Sequence, residues 1–229
     1  MRVSAANNHD AALSEGHSVF EQLLADIISL RLPPGTPLSR VALQQQFRLS
    51  STPIRDALIR LESAGLVDIF PQSGTRVSLI NVALARQAQF LRRSIEQEVV
   101  RVLATSADAA LIAELRSIIA NQRKQARDEK LDEFNQSDLA FHKTLYDAAG
   151  VSHLWSLVRE QSGHVDRIRR LHLPIGNKAD QIIRDHSKIV RSIAQQDPAL
   201  AQTALRDHLS RSLAFSDELR IRFPSYFTG

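Results

Sequence analysis

The chain has no cysteine, one methionine and one tryptophan in 229 residues. Without thiols it forms no disulfide, no thiolate zinc site and no cysteine nucleophile, so any metal it holds takes nitrogen and oxygen ligands from His, Asp and Glu. Long hydrophobic runs are also missing. No stretch approaches the roughly 18 consecutive apolar residues of a membrane span, and the polar start of the chain lacks a signal-peptide core. These absences predict a cytoplasmic protein, without membrane attachment, whose residues 1–16 form a flexible tail. No internal repeat at a fixed period is present, and no low-complexity segment lies beyond that tail.

What is present is the apolar fraction of a folded chain, 43%, with a formal net charge of +4. The distribution of charge says more than its sum. Between Arg31 and Arg60 stand five arginines, Arg31, Arg40, Arg48, Arg55 and Arg60, against the single acid Asp56. Such a stretch is either a solvated helix face or a surface for nucleic acid.

Residues 17–80 read as short helices followed by a hairpin. Val19, Leu23, Leu24, Ile27 and Ile28 recur at helical spacing until Pro33, Pro34 and Gly35 enforce a turn. Ser39 and Ser50 are suited to cap a second and a third helix, with Pro53 in the first turn of the third, where its missing N–H is tolerated. Two β-prone runs, LVDIF and TRVSLI, flank a turn at Pro71–Gly74. Three helices and a hairpin make a winged helix-turn-helix. Ser50, Ser51, Thr52 and Arg55 open the third helix, where backbone N–H groups and the helix dipole favour a phosphate. Alone, these residues describe equally a capped structural helix with an exposed arginine.

From residue 81 to 222 the chain reads as an all-α antiparallel bundle of six helices, near 82–105, 108–129, 131–149, 152–171, 177–196 and 198–221. In the third of these, Leu131, Phe134, Asp138, His142, Leu145 and Ala149 share one stripe, which places a carboxylate and an imidazole on the face expected to be buried. A buried ionisable group needs a partner. Asp138 and His142 are therefore either a helical ion pair or half of a metal site. His186 lies eleven residues before Asp197 and His208 eleven after it, so an antiparallel hairpin hinged at Asp197-Pro198 brings both to one height. Whether His208 faces inward or into solvent is open, because its stripe is weakly apolar. Three imidazoles and one carboxylate suit Zn, Ni or Co, or Mn and Fe with more oxygen ligands. His153, His164 and His172 lack this coincidence. Arg92 flanks the Ile95, Val99 stripe as either a surface arginine or a carboxylate clamp; Arg167 is a second candidate, blurred by Arg169 and Arg170. The lone tryptophan, Trp155, reads as core.

The stretch PPGTPLSRVALQQQFRLSSTPIRDALIRLESAGLV, with the following GTRV, resembles the DNA-binding domain of the GntR family of bacterial transcription regulators. That resemblance implies a base- or phosphate-contacting role for Thr52 and Arg55 and a minor-groove role for Gly74 at the wing tip; Arg40, Ser50 and Ser51 complete the candidate DNA-binding residues. Ser51 and Val41 depart from the pattern, each standing where an arginine is usual. The segments FLRRSIEQEVVRVLA, DLAFHKTLYDAAG, DHSKIVRSIAQQD and ALRDHL resemble the FCD effector domain of FadR-type members. There, the positions filled by Asp138, His142, His186 and His208 bind a divalent metal beside a cavity for a small carboxylate. The combined expectation is a mainly α protein, a homodimeric regulator on a palindromic double-stranded operator, acting as a repressor and modulated by an organic acid held beside the metal, with Arg92 and Arg167 as effector contacts. The alternatives are a metal sensor without organic effector and a helical metalloenzyme.

Overall fold

The computed structural model describes residues 3–228, with side chains from residue 16 onward. It divides into two compact units, one running to Val82 and rejoined by the chain from Arg220, the other Ala83–Leu219. The chain's last turn is hydrogen-bonded within the first unit: Ile80 N–H donates to the Tyr226 carbonyl at 2.8 Å and Thr228 N–H to the Ile80 carbonyl at 3.0 Å.

In the first unit, α1 (Val3–Ile28), α2 (Arg40–Phe47) and α3 (Ser51–Ser63) precede β1 (Val67–Phe70) and β2 (Gly74–Val77). Helix α1 starts at Val3, not near His17, so residues 3–16 are helical where a tail was expected; residues 1 and 2 lie outside the described residues. The alanines at 5, 6, 11 and 12 favour this extension, and no proline interrupts it. Val19, Leu23 and Ile27 bury one face of α1 against Ile54, Ala57, Leu58 and Leu61 of α3. The strands pair antiparallel with Val67 opposite Val77 and Phe70 opposite Gly74. Gly74 has φ +106°, a conformation that only glycine adopts without strain, so the wing can turn tightly there.

The second unit contains α4 (Val82–Ser106), α5 (Ala109–Arg127), α6 (Leu131–Ala148), α7 (Ser152–Gln161), α8 (Gly163–His172), α9 (Lys178–Ala194) and α10 (Pro198–Ser210); α11 (Ser216–Arg222) runs past its end. Helix α5 packs against α6 and α9, and α9 against α10, around Val100, Leu103, Leu115, Phe134, Phe141, Leu145, Ile189 and Leu205. Each fully buried apolar side chain of this size contributes about 1.5–3 kcal/mol. Two expected helices are broken. The span 152–171 divides at Ser162, whose hydroxyl bonds back to the Val158 carbonyl at 2.7 Å just ahead of Gly163; both features weaken a helix interior. The span 198–221 stops at Ser210, in a serine-rich stretch where Arg211 turns to bond Asp185. Trp155 packs at the core edge, its ring 5.4 Å from that of Tyr146.

Candidate functional site

Helix α6 carries Asp138 and His142 one turn apart on its buried face, and both are fully enclosed. The hairpin of α9 and α10 is fixed by Asp197, whose carboxylate accepts from Leu200 N–H at 2.9 Å, and by Pro198 behind it. It brings the His186 and His208 rings to 4.7 Å of each other. His208 faces inward and is 6% exposed, which answers its open orientation. One donor atom from each of Asp138, His142, His186 and His208 lies within 4.8 Å of all the others.

The outer atoms of this cluster are held. His142 Nδ1 meets Glu96 of α4 at 2.8 Å, and Glu96 accepts from Arg92 Nε at 2.6 Å. His186 Nδ1 donates to Gln122 of α5 at 3.0 Å, while the ring stacks on Phe141 at 3.9 Å. His208 Nδ1 faces Asp185 at 3.7 Å, and Asp185 is gripped by Arg211 at 2.6 and 2.7 Å. Asp138 accepts from Arg169. With the Nδ1 atoms so occupied, the Nε2 atoms are left to point inward, the arrangement by which metal-binding histidines are oriented.

Two of the four inner atoms lack a hydrogen-bond partner among the described residues. Asp138 Oδ1 and His186 Nε2 are buried without a hydrogen bond and stand 3.7 Å apart. His142 and His208 present Nε2 to Nε2 at 3.3 Å. If both Nδ1 atoms carry their protons, two lone pairs oppose each other there. A divalent cation satisfies all four inner atoms at once, so the residues fit a metal.

The electrostatics agree with neutral imidazole ligands. Burial, assisted by the Arg92 charge and opposed by Glu96 and Asp138, lowers His142 to about 4. His186 is pushed well below its ordinary value by burial and the neighbouring His208. Burial would raise Glu96, but Arg92 and His142 outweigh it and hold it at about 2. Unfolded, His142 takes up a proton near pH 6.5; folded, it does so only near 4. Between those values the unfolded chain binds more protons, so the metal-free protein loses stability as pH falls from about 6.5 toward 4. Denaturant unfolding of chelator-treated protein should show a lower midpoint at about pH 5 than at about pH 7. An unchanged midpoint would contradict buried neutral imidazoles.

Arg92 is 5% exposed, not a surface residue, and its Nη2 is buried without a hydrogen bond. Arg167 is fully buried but turned toward its own helix, with Nη2 2.9 Å from His164 Nδ1 and Nε 3.4 Å from the Gly163 carbonyl. Arg169 is the α8 arginine that reaches Asp138. Glu96, Gln122, Asp185, Arg169 and Arg211 join the site without having been expected from the sequence. Of these, Glu96 one turn from Arg92 and Asp185 beside His186 carry a local signal; Gln122 carries none.

In the first unit, Arg40 opens α2 behind Ser39, whose hydroxyl accepts from Ala42 N–H at 3.3 Å. Ser50 occupies the cap position of α3 but makes no side-chain cap hydrogen bond, contrary to expectation. Ser50, Ser51, Thr52 and Arg55 are all exposed at the start of α3, as is Gly74 at the wing tip. Exposed hydroxyls, first-turn N–H groups and an arginine at one helix end form a surface able to meet phosphates and base edges.

Residues 16–77 match the bacterial regulatory proteins of the gntR family, and residues 88–211, more than half the chain, match the FCD domain. An uncharacterized HTH-type transcriptional regulator in an unstable DNA locus of Streptomyces ambofaciens is 34% identical over 91% of this chain and 88% of its own length. The HTH-type transcriptional repressor RspR of Escherichia coli is 29% identical over 83% of this chain and 84% of its own. Among solved structures, E. coli McbR/YncC superposes with TM-score 0.76 at 16% identity, covering 90% of this chain and 98% of that one. A GntR regulator from Rhodococcus sp. RHA1 gives TM-score 0.70 at 18% identity over 88% and 96%. Among the described residues no helix is long and apolar enough to cross a membrane. The relatives are transcription regulators and not enzymes, which removes the metalloenzyme alternative. The winged helix, the helical unit that follows it in sequence and the relatives of both agree: the chain belongs to the GntR family of DNA-binding transcription regulators and carries an FCD domain.

Proposed function

We propose that this regulator is a homodimeric repressor whose hold on a palindromic operator is altered by a small carboxylate bound beside a divalent metal in the FCD domain. The observation that carries the reading is the buried cluster in which Asp138 Oδ1 and His186 Nε2 have no hydrogen-bond partner while Glu96, Gln122, Asp185 and Arg169 hold the outer sides. Asp138, His142, His186 and His208 would hold the ion, Zn first by their three nitrogens and one oxygen, with Ni, Co, Mn or Fe as compatible choices. When bound, the ion supplies a positive charge able to attract an anionic ligand. Arg92 supplies the complementary donor, because its unpartnered Nη2 leaves part of the guanidinium fork free for a carboxylate. Arg167, held by His164 and Gly163, takes a supporting place. The chain Arg92, Glu96, His142 would then link a carboxylate held there to α4 and α6.

In the DNA-binding unit, Thr52 and Arg55 would read bases or phosphates, Arg40, Ser50 and Ser51 the flanking backbone, and Gly74 would let the wing approach the minor groove. A two-fold dimer reads half-sites about one helical turn, roughly 34 Å, or a multiple apart. The repressor named among the relatives supports the sign of regulation.

The test is anisotropy of a fluorescent duplex from the chain's own upstream region, with metal-loaded and chelated protein, across short mono-, di- and hydroxycarboxylates. One acid should shift operator affinity by about 5–150-fold, the usual range of allosteric coupling, and only in the loaded protein. Arg92→Lys keeps the charge beside Glu96 but loses the fork, and should weaken that response about tenfold. If no carboxylate moves the loaded protein while metal alone does, the site is a metal sensor. That second reading is favoured by a donor set that by itself completes a tetrahedral site.

A further inference from the structure

Six cations of the helical unit face solvent without an acidic partner. Arg116, Arg123 and Arg127 lie along one face of α5, and Arg184, Lys188 and Arg191 along the adjoining face of α9. None of them forms an ion pair among the described residues, whereas the exposed Arg31, Arg101, Lys130 and Lys143 each have one. Among the described residues their side-chain hydrogen bonds go to neutral groups: Arg123 to Ser187 at 3.3 Å and Arg184 to Gln181 at 2.9 Å. Between the two rows run adjoining open depressions of about 320 and 530 Å³, which share Arg123, Ser187 and Arg191. Asp180 is the one acid lining them. Arg116 to Arg127 spans about 16 Å at 1.5 Å per residue.

This concentration of unpaired charge opposes self-association, since a two-fold contact would set six cations against six. The depressions are open and linear, and no aromatic ring lines them, which fits an extended polyanion better than a compact ligand. Duplex DNA carries about one charge per 1.7 Å of axis, hence about nine over this length. Exposed arginines that form no ion pair among the described residues, Arg40, Arg48 and Arg55, also mark the unit that binds DNA. We propose that the α5–α9 groove is a second, sequence-independent contact for the phosphate backbone of duplex DNA. Phosphate contacts of this kind add affinity without adding base specificity.

The experiment compares full-length protein with the Arg123→Ala, Lys188→Ala, Arg191→Ala triple variant on a non-operator duplex of about 40 base pairs, from about 50 to 200 mM salt. Each lost phosphate contact should lower the salt-dependence slope by about 0.9, so the triple variant should lose about 2 to 3. It should also bind at least about tenfold more weakly at the low-salt end. A Thr52→Ala, Arg55→Ala variant measured in parallel reports on the winged helix, so failure of the groove and failure of the recognition helix are distinguishable. Circular dichroism melts and metal content, unchanged in the triple variant, confirm that its fold is intact. A triple variant with the parent's slope and affinity overturns the proposal. So does an unchanged slope combined with tripolyphosphate raising the melting midpoint of the parent but not of the variant, which would make the groove a small-anion site.

Discussion

With the proposed metal bound, a strong chelator should lower the thermal midpoint of this regulator by roughly 8–16 °C. The figure follows from mass action. A ligand present at about 1,000 times its Kd stabilises the folded state by about 4 kcal/mol, and each kcal/mol moves the midpoint of a chain of this length by about 2–4 °C. The physical source is the interior of the bundle. Asp138, His142 and His186 are completely enclosed, two inner atoms have no hydrogen bond, and two imidazoles face each other nitrogen to nitrogen at 3.3 Å. His142→Ala should abolish stoichiometric metal in the purified protein and make its midpoint insensitive to chelator. The Arg92–Glu96 pair at 2.6 Å survives that substitution, so Glu96 is not stranded and the fold is retained. Removing the outer partner instead, by Gln122→Ala, should weaken metal binding by about 10–100-fold. Elemental analysis and scanning calorimetry on the same samples decide the matter. A midpoint that is identical before and after chelation would mean that the cluster holds no metal.

The parts of this site that were legible from residue order are those set by helical periodicity and by one turn. Asp138 and His142 share a face because they are four residues apart, and His186 and His208 meet because Asp197-Pro198 is equidistant from both. The parts that were not legible depend on which helices pack together. Glu96 reaches His142 across 46 positions and Gln122 reaches His186 across 64, and no local pattern reports such distances. The choice between Arg167 and Arg169 turned on the break at Ser162. A single helix through 152–171 would have carried one continuous phase, whereas the restart at Gly163 sends Arg167 to His164 and Arg169 to Asp138. The first helix was placed too late for a related reason. Its alanine-rich beginning has helix propensity but no apolar stripe, and periodicity detects stripes.

Replacing Thr52 and Arg55 together by alanine should reduce operator affinity by about 30- to 1,000-fold at fixed salt. A well-placed base contact is worth about 1–3 kcal/mol; at about 1–2 for each of these two side chains, the pair comes to about 2–4, and 1.4 kcal/mol is a factor of ten. Both side chains are exposed on α3, whose packing rests on Ile54, Ala57, Leu58 and Leu61. Stability should therefore change by no more than about 0.5 kcal/mol, and lost binding cannot be blamed on unfolding. Ser51 allows the opposite experiment. It stands where the family pattern usually has an arginine, on the same exposed turn beside the unbonded Ser50 hydroxyl. Ser51→Arg should add a guanidinium able to pair with a guanine and tighten binding about tenfold on duplexes that offer one in register. Should it tighten binding equally on every duplex, the new arginine is meeting phosphate and not a base. Position 51 would then lie over the backbone of the operator, and base reading would fall to Thr52 and Arg55.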